Sequence, residues 1–255
     1  MAQRDGSNSD SGSDSGTAAS MQFIGEPNAP LRDEFVIINE LLTLNDANVL
    51  ELGCGGAQRT REIAELGGVK SIVASEVDEQ QHSKNLAAKA DPRIRFESFG
   101  AQSIPYPDGQ FDAVLMFKSL HHVPLGMLDE SLREIARVLR PGGLAYISEP
   151  VFAGDFNEVI RLFHDESHVR QQAFNAMRRA VQQDVLQLQE ERFFESPISL
   201  SSFAQFADRI LNVTHTDHKL TAELRAQVQE KFESFGSGGK YEFRVPHRVD
   251  LLRAP

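Results

Sequence analysis

From about residue 30 to residue 150 the chain alternates short apolar runs with longer amphipathic stretches. Runs such as Val49-Leu50-Glu51-Leu52 and Ile72-Val73-Ala74 are nearly continuous in apolar character, as expected of strands covered on both faces. Strands are predicted at 47–52, 70–76, 93–97, 111–117 and 143–149. Between them the apolar positions follow a helical period. Phe35, Ile38, Leu41 and Leu42 do so in a leading helix over 30–44, and residues 60–66 read as a second helix. Leu128, Leu132, Ile135, Ala136 and Leu139 form one apolar face that is stopped by Pro141 and Gly142. Such alternation predicts an α/β fold with a parallel sheet wound on both faces.

Beyond residue 150 the pattern changes. Residues 154–195 read as wholly helical and polar, an insertion over the ligand-binding edge. A helix at 199–211, a strand near 212–216, a helix at 222–235 and a last strand at 241–252 complete the expected order. The expected organisation is therefore a core at 21–153, a helical cap at 154–195 and a return to the core sheet at 196–255. Residues 2–20, rich in Ser, Gly and Asp, cannot bury a core and are expected to be disordered, with Met21 as an alternative start.

Composition narrows the function classes. The chain has 255 residues, 40% of them apolar, enough for one domain with a cap. A formal net charge of −11 argues against a duplex or tRNA partner, which demands a basic stripe. The single cysteine, Cys54, cannot form an internal disulfide. No apolar run spans a bilayer and no signal-peptide core is visible, so the expected location is the cytoplasm.

The densest chemical signal is the turn after the first strand, Gly53-Cys54-Gly55-Gly56. A strand, a glycine turn and a helix let backbone approach a ligand closely and place helix N–H groups beside it. Glu76 stands 23 residues after Gly53 at the end of the second strand, where a carboxylate accepts from both hydroxyls of a ribose; Asp78 is the alternative. A dinucleotide dehydrogenase fits less well, because Gln58 occupies the position of its last fingerprint glycine.

Five blocks in register resemble the class I S-adenosylmethionine-dependent methyltransferases, most closely the branch acting on small molecules. They are 48–57, 72–78, 104–112, 113–123 and 134–149, the last containing Arg140-Pro141-Gly142-Gly143-Leu144. The resemblance implies a Rossmann-like, seven-stranded sheet, six strands parallel and the last antiparallel, with a helical insertion after strand 5. It implies S-adenosylmethionine as cofactor and a small-molecule acceptor methylated on O, N or C. The implied cofactor contacts begin with Glu51, Gly53, Cys54, Gly55, Glu76 and Val77. They continue through Gly100, Ala101, Gln102, Phe117 and Lys118. A tRNA-modifying enzyme, or a cofactor-binding protein without transfer activity, are the alternatives.

Two departures from the family pattern stand out. Ala57 replaces a glycine, tolerable unless that position needs positive φ. Gly100 replaces the acid that usually precedes the alanine and holds the adenine amino group, with Gln102 or Ser98 as possible substitutes. Loss of one net hydrogen bond predicts binding weaker by about 1 kcal/mol.

For chemistry on the acceptor, the candidates are His121, His122 and Glu149, at the carboxyl ends of strands 4 and 5. Histidine suits removal of a proton near neutral pH, whereas a carboxylate or thiolate acceptor needs no base. Lys118 and Ser119 share that edge, and Lys118 suits an anionic substrate. Tyr241, Arg244 and His247 enter at the start of the antiparallel strand. Phe23 and Phe152 lie in segments placed to close over a ligand. His164 and His168 are four apart with Asp165 beside them, but two histidines make a poor zinc site, and no metal is expected. His215 and His218 are expected at the surface.

Overall fold

Residues 20–25, 28–66, 68–89, 91–211 and 220–255 are described in a computed structural model of the chain. The tail expected to be disordered, the strand expected near 212–216, and His215 and His218 fall outside these residues, apart from Ser20.

The parallel core follows the predicted alternation. It comprises β1 (Asn48–Leu52), β2 (Ser71–Ser75), β3 (Ile94–Glu97), β4 (Phe111–Phe117) and β5 (Leu139–Pro150). Helices α1 (Glu34–Leu41), α2 (Gln58–Leu66), α3 (Glu79–Ala87) and α4 (Leu128–Val138) accompany these strands. After β5 come α5 (Asp155–Ile160), α6 (Ser167–Gln182), β6 (Gln187–Leu200), α7 (Phe203–Phe206), α8 (Ala222–Glu233) and β7 (Tyr241–Arg253). The seven strands lie in the order β3-β2-β1-β4-β5-β7-β6. All neighbouring pairs from β3 to β5 are parallel, and β7 runs antiparallel to both β5 and β6. Six strands therefore share one direction, as expected. The chain leaves β1 toward β2 on one side and returns with β4 on the other, which opens a crevice at the carboxyl ends of β1 and β4.

The sheet is buried on both faces, and the alternation along β1 shows how. Leu50 and Leu52 join Val73, Val114 and Met116 against α4 and α6 (Leu132, Ile135, Phe174, Met177). Val49 joins Ile72, Ala113 and Leu115 against α1 and α2 (Ile37, Ile38, Ile63). Each fully buried side chain of this size contributes about 1.5–3 kcal/mol. A third, mainly aromatic cluster of Phe206, Phe232 and Phe243 with Val159, Leu200 and Val228 lies beyond β5.

One expectation is corrected. The helical stretch after β5 ends at Gln182, and residues 187–200 form β6 rather than more helix. It pairs along its whole length with β7, from Gln187↔Arg253 to Leu200↔Tyr241. The charges that suggested a solvated helix, Glu190-Glu191-Arg192, sit on the edge strand of the sheet, where charged side chains blunt an unpaired edge. Arg192 bridges Glu190 and Glu40, and Glu191 accepts from the Gln22 N–H. The expected helix at 199–211 is reduced to α7 followed by one π-type turn at Ala207–Leu211.

Candidate functional site

The glycine turn is built by close packing. Gly53 and Gly55 have φ of 73° and 50°, in the left-handed region where glycine is favoured. A Cβ on Gly53 would lie 2.7 Å from the Ser119 Cβ, so only glycine lets the end of β4 approach the end of β1. Ser119 seals this contact by donating its hydroxyl to the Leu52 carbonyl at 2.8 Å. The N–H groups of Gly53 and Cys54 both donate to the Ser75 carbonyl, and that of Gly55 to Glu76 Oε2 at 2.7 Å. Close ligand approach here therefore rests on missing side chains, not on free N–H groups at 53–55.

Glu76 is 9% exposed and braces this turn. Its other oxygen accepts from the Asp78 N–H at 2.9 Å. Each carboxylate oxygen thus carries one protein hydrogen bond and retains capacity for a second donor, which a ribose diol would supply. Asp78 caps α3 by accepting from the Gln81 N–H, so it is occupied in structure. Val77, next to Glu76, is 64% exposed, available to an aromatic ring. At Gly100 the Gln102 amide lies where a side chain would project, 2.3 Å from the position of an added Cβ. Gln102 therefore stands in the space of the missing acid, and Ala101 beside it is buried. These residues fit an adenosine-containing cofactor.

Glu51 is fully enclosed and accepts from the Thr60 hydroxyl, tying β1 to α2. Burial pushes its carboxyl up to about 7. Cys54 is buried, and burial with the nearby Glu51 and Glu76 carboxylates pushes its thiol up to about 12, a poor nucleophile. Phe117 packs on Tyr146 with ring centroids 5.7 Å apart. Ala57 does require positive φ, at 55°, so the glycine of the family pattern is replaced at a strained position.

On the far side of Ser119 lies a cavity of about 530 Å³. Lys118, held at φ 56° by a 2.7 Å bond from its N–H to the Ser148 carbonyl, opens onto it with His121 and His122. His121 is buried and its Nδ1 is bonded to the Glu149 carboxylate, whose other oxygen accepts from the Leu120 N–H at 3.0 Å. Its Nε2 faces Glu166 Oε1 at 3.6 Å. Burial alone would lower the His121 pKa, but the Glu149 and Glu166 carboxylates outweigh it and raise it to about 9. His122 stacks on His121 with centroids 4.1 Å apart and is lowered by burial and by His121. At neutral pH the pair is one imidazolium and one neutral ring.

Glu166 was passed over in the sequence, where it appears only as a spacer between histidines. It is held below the usual carboxylate range by His121 and Arg170, which outweigh its burial. Its i,i+4 spacing to Arg170 was the available signal. His164 donates from Nε2 to Glu166 Oε1, 2.9 Å away, from the turn between α5 and α6, so it shares no helical face with His168. His168 is exposed and does not line the cavity. Among the described residues His121, His122 and Glu166 offer donor atoms within 4.8 Å of one another, the group able to hold a metal ion; Asp165 is not part of it.

Of the last strand, His247 lines the cavity, Arg244 pairs with Glu195, and Tyr241 stacks on Phe232 in the aromatic cluster. Phe23 packs on Phe174, and Phe152 lies under Arg161 and Arg170. Neither lines the cavity, whereas Phe156 and Phe163 do.

Residues 50–147 match the family described as methyltransferase domain. The segment is 37% identical over 99 residues to the 27-O-demethylrifamycin SV methyltransferase of Amycolatopsis mediterranei, covering 37% of this chain and 35% of that protein. It is 39% identical over 101 residues to the fatty-acid O-methyltransferase of Mycolicibacterium smegmatis, covering 37% and 34%. The chain thus spans about a third of the length of these relatives. The solved structure of YcgJ from Bacillus subtilis matches with a TM-score of 0.57 over 86% of this chain and 96% of that one, at 16% identity, a likeness of fold. Fold and matched segment agree: residues 50–147 are similar to a methyltransferase domain, carried on a Rossmann-like α/β fold that solved methyltransferase-like structures share.

Proposed function

We propose that this protein transfers a methyl group from S-adenosylmethionine to a small-molecule acceptor held in the cavity beside Lys118 and His122. One observation carries this reading. Ser119 packs on Gly53 of the glycine turn, while its chain neighbours Lys118, His121 and His122 line the cavity. Donor and acceptor sites are therefore separated by a single segment of backbone. The Amycolatopsis and Mycolicibacterium relatives are named for small-molecule acceptors, in keeping with it.

When bound, S-adenosylmethionine supplies a methyl group already activated on a sulfonium. The protein has mainly to align the acceptor with it and keep water out. In this reading Glu76 receives the ribose hydroxyls, and Ala101 with Gln102 meets the adenine. Glu149 fixes the His121 ring, and His121, protonated, orients the acceptor rather than acting as a base. His122, neutral and outermost, is placed to take a proton from an acceptor that carries one. The one cysteine, Cys54, is free and buried, in keeping with a reducing, cytoplasmic location; among the described residues no helix is long and apolar enough to cross a membrane.

Calorimetric titration of S-adenosylmethionine and S-adenosylhomocysteine into the full chain tests the proposal. Micromolar binding of both is expected. Absence of binding would mean that Gly100 and Ala57 disable the donor site, and the fold would then serve a non-catalytic role.

A further inference from the structure

The cavity beside Lys118 differs in charge from the rest of the molecule. The chain carries a formal net charge of −11. Yet among the described residues the Lys, Arg, Asp and Glu side chains lining the cavity are Lys118, Arg170, Arg209 and a single acid, Glu166. Four histidines, at 121, 122, 164 and 247, complete the titratable lining. Glu166 is already committed to Arg170, His164 and His121. That leaves two cations over. The side chains of Lys118 and Arg209 have no hydrogen bond or ion pair among the described residues, and both are exposed to the cavity side of the molecule. In a low-dielectric cleft, cations without partners concentrate anions.

A second observation points the same way. Asn157 is 8% exposed, lines the cavity, and its Nδ2 has no hydrogen-bond partner. A buried donor left unpaired is costly, so an acceptor atom is missing from its surroundings. Among the described lining residues, the groups in want of a partner include two cations, Lys118 and Arg209, and one donor, the Asn157 amide; His247 Nδ1, also buried without a partner, can serve as donor or acceptor. The remaining wall is apolar. Phe156, Ile160, Phe163, Ile198 and Ile210 form the exposed side of the aromatic cluster behind it.

We propose that the methyl acceptor is an apolar carboxylate, its hydrocarbon body against Phe156, Ile160 and Ile198 and its anionic end held among Lys118, Arg209 and Asn157. This rests on the methyl-transfer reading and narrows it to ester formation. A carboxylate oxygen forms the new bond to the methyl carbon as the carbon–sulfur bond breaks. That bonding pair stays on sulfur, leaving a neutral thioether and a methyl ester. No proton moves, so no base is required, and His122 serves this acceptor as a hydrogen-bonding neighbour.

The test compares decanoate and phenylacetate with the matched alcohols and amines on the full chain saturated with S-adenosylhomocysteine. Binding is read by calorimetry and thermal shift, and transfer by methyl-ester formation from S-adenosylmethionine. Carboxylates are expected to bind at least tenfold more tightly than alcohols, weakening as salt rises. Arg209→Gln, at an exposed position, should weaken carboxylate binding at least tenfold and leave alcohol binding unchanged. Lys118→Gln should repeat the effect. Neither carboxylate binding, equal or tighter binding of alcohols or amines, or indifference to Arg209→Gln would overturn the carboxylate assignment. Failure of S-adenosylhomocysteine to bind in the first place would instead overturn the methyl-transfer reading beneath it.

Discussion

The proposed donor and acceptor halves of this site are built by different means. The donor half is a backbone device: glycines at 53 and 55 in the left-handed region, a β4 end packed on Gly53, and one carboxylate, Glu76, bracing the turn. The acceptor half is a side-chain device. An imidazolium lies between Glu149 and Glu166, Arg170 balances Glu166, and a cluster of phenylalanines backs the wall. A backbone device tolerates few sequences and so carries a motif. A side-chain device tolerates many, which leaves room for different acceptors on one fold. The fold alone leaves the chemistry open.

The contrast breaks most sharply in the aromatic cluster. Phe206 is fully buried there, and Phe206→Ala should cost about 3–5 kcal/mol of stability. Acceptor binding should suffer while S-adenosylhomocysteine affinity is retained in the fraction that stays folded. Denaturant titration with calorimetry would show it, and an equal loss of both ligands would merge the two halves. The buried His121 gives the next largest effect. Its pKa is raised above the unfolded value, so its stabilisation is complete below about pH 6.5 and is lost as pH rises through about 9. A fall of at most about 3 kcal/mol across that window is expected in urea unfolding, and His121→Asn should flatten it.

Three smaller effects probe the donor half. Glu76→Ala removes a charge-assisted acceptor and should weaken S-adenosylmethionine at least tenfold, about 1.4 kcal/mol or more, by calorimetry. Unchanged affinity would remove Glu76 from the ribose. Gln102→Ala should cost about 1 kcal/mol of cofactor affinity if the amide over Gly100 replaces the missing acid. Smallest of all, Ala57→Gly should raise stability by roughly 0.5 kcal/mol, because relief of strain at φ 55° slightly exceeds the added freedom of the unfolded chain. Thermal unfolding would register it, and a lower melting temperature would mean that the alanine methyl group packs usefully.

How far each half was legible follows from the same difference. The five parallel strands and the helices between them were readable because strands buried on both faces must be apolar and the helices between them amphipathic. The turn at Gly53 and Gly55 was readable because its backbone conformation admits few other residues. Edge strand β6 was not. Half exposed and charged at Glu190, Glu191 and Arg192, it shares its polar pattern with a solvated helix, and only pairing with β7 separates the two. Glu166, Arg170, Asn157 and Arg209 were missed for a related reason. They lie on α5, on α6 or just before it, and on the turn after α7, and their roles exist only because these segments fold back over the end of β4.

By itself the sequence determined the parallel sheet, the position of the crevice and the glycine turn that borders it. These depend on periodicity and on backbone conformations that few residues adopt. Tertiary structure alone decided which histidine is charged, which acid neutralises it and which cations beside the cavity are left unpaired among the described residues. Ionisation follows burial and the distance to neighbouring charges, and the neighbours of His121 come from positions 149 and 166, brought together only when β5 and α6 close around it.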